Sequence, residues 1–131
     1  MHGAGNDFIV FDGRNSANLA ESIRHHTPAL CHRHTGIGAD GVLVLGVSEH
    51  ADYAMHYFNA DGSMAGMCGN GARCLALFAS RLGFPQHVSF EAAGKRYTAG
   101  VYDTHVSVRF SVTPTPEQTI IDGTPWIMLH T

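Results

Sequence analysis

The apolar residues of the chain recur with two periods, and these divide it into strands and helices. Val106, Val108, Phe110 and Val112 alternate with polar neighbours, which predicts a half-buried strand over about 105–112. β-branched and aromatic runs predict further strands at 7–12 (DFIVFD), 42–47, 53–58 (YAMHYF), 87–92 and 96–102. Ser16 is placed to cap a helix running from Ala17 towards His26. Thr27 then caps a second short helix with Pro28 at its first position, stopped by Gly36. The strongest helical pattern spans roughly Gly69 to Leu82 and is closed by Gly83 and Pro85. Its Ala72, Leu75, Ala76, Phe78, Ala79 and Leu82 occupy more than one stripe, and only Arg73, Ser80 and Arg81 are plainly polar. A helix apolar over so wide an arc is buried on most sides. Pro114 and Pro116 break the sheet pattern and read as a linker, after which TPWIMLH reads as one more strand. The sum is an α+β fold of short, mostly antiparallel strands with one buried helix.

Composition narrows this further. The chain has 131 residues, 44% of them apolar, which suits one ordinary globular domain. A net charge of −3 gives no electrostatic case for nucleic acid or a membrane surface, and no apolar run approaches a membrane span. His2, Asn6 and Asp7 interrupt any signal-peptide core. Three cysteines at irregular spacing are no disulfide framework, so free thiols in a cytoplasmic setting are expected.

Of those thiols, Cys68 stands at the doorway of the buried helix, before Gly69, Asn70 and Gly71. Helix N-termini carry unpaired N–H groups and partial positive charge. Such a place favours a thiolate over a thiol and can dock a carboxylate, with glycines allowing close approach. Those two properties together are what proton abstraction α to a carboxylate requires: an anionic base, and donors where negative charge develops. A small buried cysteine is the plainer alternative, but it would not need the flanking glycines. Inversion at carbon also needs an acid on the opposite face. Cys74 lies about 9 Å further along the same helix and cannot face Cys68 across a substrate. Cys31, in PALCHRH, reads as core. The second catalytic group is therefore not evident.

Three other features suggest chemistry without carrying it. Gly36-Ile37-Gly38-Ala39-Asp40-Gly41 matches G-x-G-x-x-G, but a helix precedes and a strand follows, the reverse of a dinucleotide site. The ten histidines include His25, His26, His32 and His34 near Cys31, yet no metal-ligand spacing appears, and a solvated helix face is the better reading. The only lysine, Lys95, is not placed for a pyridoxal Schiff base.

Three blocks in order complete the reading. His2-Gly3-Ala4-Gly5-Asn6-Asp7-Phe8, Arg33-His34-Thr35-Gly36-Ile37-Gly38-Ala39-Asp40-Gly41, and Phe58-Asn59-Ala60-Asp61-Gly62-Ser63 with Met67-Cys68-Gly69-Asn70-Gly71-Ala72-Arg73-Cys74 resemble the diaminopimelate epimerase family. The resemblance implies a domain whose sheet wraps a central helix, one of two such domains flanking an active-site cleft. It implies catalysis by two cysteines, one per domain, with no cofactor and no metal. Cys68 would be the first-domain base or acid, and Gly69 and Asn70 would offer backbone N–H groups to the reacting carboxylate. Asn6 and Asn59 would contact the far end of a small amino-acid substrate. On this reading residues 1–113 are the N-terminal domain, and 114–131 are linker and the first strand of a second domain whose remainder is missing. The strand expected before Met1 would be missing as well. A proline-racemase-like relative, which tends to carry His after Cys-Gly where this chain has Asn70, and a non-catalytic binding domain are the alternatives. A lone terminal strand would leave its edges unpaired, so a disordered tail or a homodimer joined through it is expected.

Overall fold

Strand β3 (Gly41–Gly46, GVLVLG) is buried along its whole length, and its two faces serve two different helices. This is the reason its sequence is continuously apolar instead of alternating. Val42 and Val44 join Ile23, Cys31, Ala39 and Phe58 in one cluster. Leu43 and Leu45 join Tyr53, Leu75, Ala76, Ala79 and Phe90 in the other. The computed structural model of the chain describes residues 1–16, 18–110 and 116–128. Within them β1 (His2–Gly3), β2 (Asn6–Asp12), β3, β4 (Tyr53–Asn59), β5 (His87–Ala92), β6 (Lys95–Val101) and β7 (Val106–Arg109) form one sheet in sequence order. The β2–β3 and β4–β5 joints are parallel and the others antiparallel, so the sheet is mostly antiparallel as expected. Each parallel joint needs a crossover, and each crossover contains a helix. Helix α1 (Leu19–Cys31) bridges the first and packs on β3 and β4. Helix α2 (Gly69–Arg81) bridges the second and touches β1, β2, β3, β4, β6 and β7. The sheet therefore curls around α2. Of its thirteen residues only Arg81 is exposed.

The first helix corrects the sequence reading. One helix continues through Pro28 instead of breaking at Thr27. Ile23, Thr27 and Cys31, four residues apart, all bury against the sheet, and the Thr27 hydroxyl donates back to the Ile23 carbonyl at 2.8 Å. Pro28 lies on the exposed side. Burial of one face thus outweighs a proline cost of about 3 kcal/mol. The cap differs too: Leu19 N–H bonds the Ser16 carbonyl at 3.1 Å, while Asn18 occupies the cap position. The expected first residue of the helix, Ala17, lies outside the described residues.

The glycine-rich segment after α1 is a helix terminator. Ile37 and Gly38 donate to the Leu30 carbonyl, Ala39 to that of Cys31 and Gly36 to that of His32. These satisfy the carbonyls that the helix end leaves open. A side chain at Gly36 would sit 2.1 Å from the Ala29 oxygen.

A second correction concerns the C-terminal segment. Where the sequence suggested one strand, β8 (Glu117–Ile121) and β9 (Thr124–Met128) form an antiparallel hairpin of their own. The turn Asp122-Gly123 has positive φ at both residues (51° and 75°), the two-residue hairpin geometry that suits right-twisted strands. Ala4-Gly5 and Ala93-Gly94 make the β1–β2 and β5–β6 turns in the same way. The linker at Pro114, the end of the strand expected at 105–112, and Leu129 to Thr131 fall outside the described residues.

Candidate active site

Period-two alternation carries the α2-facing rows of the sheet to a common end. Phe8 on β2, Leu43 and Leu45 on β3, and Met55 on β4 face α2; Tyr57 packs on the same side. Two residues beyond Phe8 and Tyr57 respectively, Asn6 and Asn59 continue the same rows. Gly41 pairs with Phe8 on one side and Asn59 on the other, so the strand between the two asparagines has no side chain there. None fits: a Cβ at Gly41 would come 2.5 Å from the Phe58 oxygen and 2.6 Å from the Tyr57 ring.

The N-terminus of α2 meets this end of the sheet. Cys68 is the N-cap, in extended conformation, and its sulfur accepts the Gly71 N–H at 3.4 Å. The Gly69 and Asn70 N–H groups have no partner among the described residues. A carboxylate placed off the helix tip would meet both of them and the positive end of the dipole. The glycines let the tip pack closely on the sheet: Gly71 lies against Leu43 and Met55, and the Phe110 ring covers the side of Gly69.

The other two thiols have different surroundings. Cys31 is buried in the α1 cluster, and desolvation pushes its thiol up from the ordinary value, with Asp40 adding to the rise. Cys74 is buried on α2 beside Gly3, and desolvation again raises it. Cys68 alone is half-exposed.

A polar chain that sequence spacing did not reveal ties the site together. The Asn70 amide nitrogen donates to Asn6 Oδ1 at 2.6 Å, and the Asn6 nitrogen donates to Asp40 Oδ2 at 3.3 Å. Asp40 also accepts the Asp7 N–H at 2.9 Å and Arg33 at 2.7 Å, while Arg33 reaches Asp7 at 3.3 Å. At the other end Arg73 donates to Asn70 Oδ1. The Asp7 N–H first, then Asn6 and Arg33, hold the Asp40 carboxyl below its ordinary value. Tyr57 is raised by burial first and by the neighbouring Cys68 and Asp40 next. Asn59 stands apart from the chain, its amide nitrogen donating to Ser63 Oγ at 3.0 Å. Asn70 and Asn6 are thus held in one network at the helix tip, Cys68 and Gly69 lie beside it at the start of the helix, and Asn59 lines the same sheet end. The one sequence hint of the network was that Arg33 and Asp40 flank the glycine-rich segment whose turn returns one to the other.

Among the described residues no cluster of three His, Cys, Asp or Glu side chains suits a metal ion, and no helix is long and apolar enough to cross a membrane.

The architecture defines a class before any sequence match is considered. It is the fold of a Bacillus anthracis phenazine biosynthesis protein of the PhzF family (TM-score 0.63, 17% identity, covering 90% of this chain and 39% of that one). A Clostridium difficile protein described as a putative phenazine biosynthesis PhzC/PhzF protein follows at TM-score 0.53 and 10% identity. At these identities the likeness is one of fold. Sequence is more specific: the signature described as Diaminopimelate epimerase matches residues 1–114. A Chlorobaculum tepidum protein of that name is 46% identical over 117 residues, 87% of this chain and 44% of its own length. One from Methanothrix thermoacetophila is 51% identical over 85 residues, 64% of this chain and 30% of its own. The chain belongs to the diaminopimelate epimerase family and spans less than half the length of these curated relatives.

Proposed function

We propose that this chain supplies one half of the active site of a cofactor-independent epimerase that inverts an α-carbon of diaminopimelate, interconverting the LL and meso forms. The observation that carries this is the half-exposed Cys68 as the N-cap of a buried helix, next to two N–H groups without partners among the described residues. Cys68 as thiolate takes the α-proton from one face of the substrate carbon, and a second thiol delivers a proton to the opposite face. One proton leaves and one arrives, so the configuration inverts without net change in composition. The charge left on carbon spreads into the adjacent carboxylate, which docks on Gly69 and Asn70 N–H. Asn6 and Asn59 bind the distant amino-acid end. An amide suits a zwitterion because it offers an acceptor for the ammonium and a donor for the carboxylate. Neither Cys31 nor Cys74 is suited to be the second thiol, since both are buried and protonation of both is favoured. A second domain, of the length the relatives have beyond this match, is the proposed source. Diaminopimelate would place the protein in lysine and cell-wall precursor synthesis in the cytoplasm.

The test uses the protein extended to the relatives' length, scored by interconversion of the LL and meso forms. Cys68→Ala should lower turnover by about a thousandfold or more with unchanged melting, since one obligatory proton-transfer group is removed. Turnover within tenfold of the parent would defeat the assignment. The 131-residue chain alone should show no epimerisation.

A further inference from the structure

The polar chain at the helix tip has ends of opposite sign, and this determines the orientation of every amide between them. Arg73 can only donate, so Asn70 must turn its oxygen towards it and its nitrogen towards Asn6. Asp40 can only accept when ionised, so Asn6 must turn its nitrogen towards it and its oxygen towards Asn70. Both ends demand the same flip, and all donors run in one direction from Arg73 to Asp40. Each amide is left with one N–H and one oxygen lone pair uncommitted. Arg33 anchors the acceptor end by pairing with Asp40 and Asp7, and Arg73 forms no ion pair with any described carboxylate.

We infer that Arg73 and Asp40 are positioning residues of the proposed active site, fixing from opposite ends which atoms Asn6 and Asn70 present to a bound amino-acid zwitterion. The inference rests on the proposed function for its ligand, but the amide geometry is testable without activity. Neither residue reaches the reacting carbon in this scheme; each acts through the asparagine it holds. The charge of the end groups matters more than their bulk, so substitutions that keep or lose the sign separate the two explanations.

The measurement is side-chain amide hydrogen exchange by nuclear magnetic resonance in the 15N-labelled 131-residue chain, with the exposed Asn15 as internal reference. In the parent, the Asn6 and Asn70 amides should exchange at least tenfold more slowly than that of Asn15. Arg73→Lys, which still only donates, should preserve this protection. Arg73→Gln, which can present either oxygen or nitrogen, should bring Asn70 within about twofold of Asn15. Asp40→Asn should do the same to Asn6 from the other end. Full protection in Arg73→Gln and Asp40→Asn, or equal loss in Arg73→Lys and Arg73→Gln, would overturn the inference. In the protein extended to the relatives' length, Arg73→Gln should raise KM for diaminopimelate at least tenfold with kcat within about threefold, and Arg73→Lys should restore it. An unchanged KM in Arg73→Gln would also overturn the inference. A parent with no turnover would refute the proposed function and leave the exchange result to decide the geometry.

Discussion

One sulfur, two backbone N–H groups and three carboxamides make up the proposed chemical face of this chain, and they differ in how far ahead the sequence announced them. Cys68 was legible because a helix cap is local: a turn, a glycine and an apolar helix lie within a few residues of it. Asn6, Asn59, Gly69 and Asn70 came from family resemblance, and the fold brings them to one end of the sheet. Asp40, Arg33 and Arg73 were not legible, since their partners are set by strand register and helix placement. The Asn6–Asn70 bond alone joins residues 64 positions apart. Asn59, outside the Arg73–Asp40 chain, offers the simplest separation of binding from fold. In the extended protein Asn59→Ala should raise KM about tenfold or more and leave kcat and melting temperature little changed. Asp40 gives a pH prediction. Its folded-state value lies below the ordinary 3.8, so its stabilising contribution is full above that value and is lost as pH falls through the folded-state value. Denaturant midpoints measured from pH 6 down to pH 2.5 should therefore fall less steeply in Asp40→Asn than in the parent.

At the scale of elements, the apolar pattern was a good guide both to strands with one wetter face and to the enclosed helix α2. β4, β5, β6 and the first part of the 105–112 strand appear as expected, and α2 runs within one residue of its expected span. The reading failed where tertiary burial overruled a local breaker, as at Pro28, and where a weak strand depended on its turn, as at β8. Glu117 and Gln118 disguised that strand, although Asp122-Gly123 is a strong hairpin signal. Helix α2 is the element on which the most depends, because six strands pack against it. Leu75, fully buried at its centre, is the position to test. Leu75→Ala should cost about 2–5 kcal/mol in chemical denaturation. Ser80→Ala, at the partly buried far end of the helix, should cost far less.

For the whole molecule, the described sheet has β1 and β7 as its end strands. β1 and β7 both touch α2, and a slot of about 180 Å³ between them is lined by Gly3, Cys74, Leu77 and Val106. The β8–β9 hairpin presents Ile120 (74% exposed), Ile127 (69%) and Trp126 (55%). Hairpin pairing supplies the hydrogen bonds that a lone strand would lack, but it does not bury these side chains. Light scattering of the 131-residue chain should show an apparent mass that rises with concentration, and a chain ending at residue 113 should stay monomeric. Equal masses at all concentrations would remove the apolar hairpin as a cause of association. The tip of α2 also imposes an order in time. Its partners lie on β2, on the segment leading into β3, and on the helix itself, so the run of bonds from Arg73 to Asp40 cannot close until the polypeptide has been made through α2 and β2 has joined the sheet. During refolding, alkylation of Cys31 and Cys74 should cease as the sheet closes over them, while Cys68 stays accessible. The orientation of the Asn6 and Asn70 amides is thus a property of the folded chain alone.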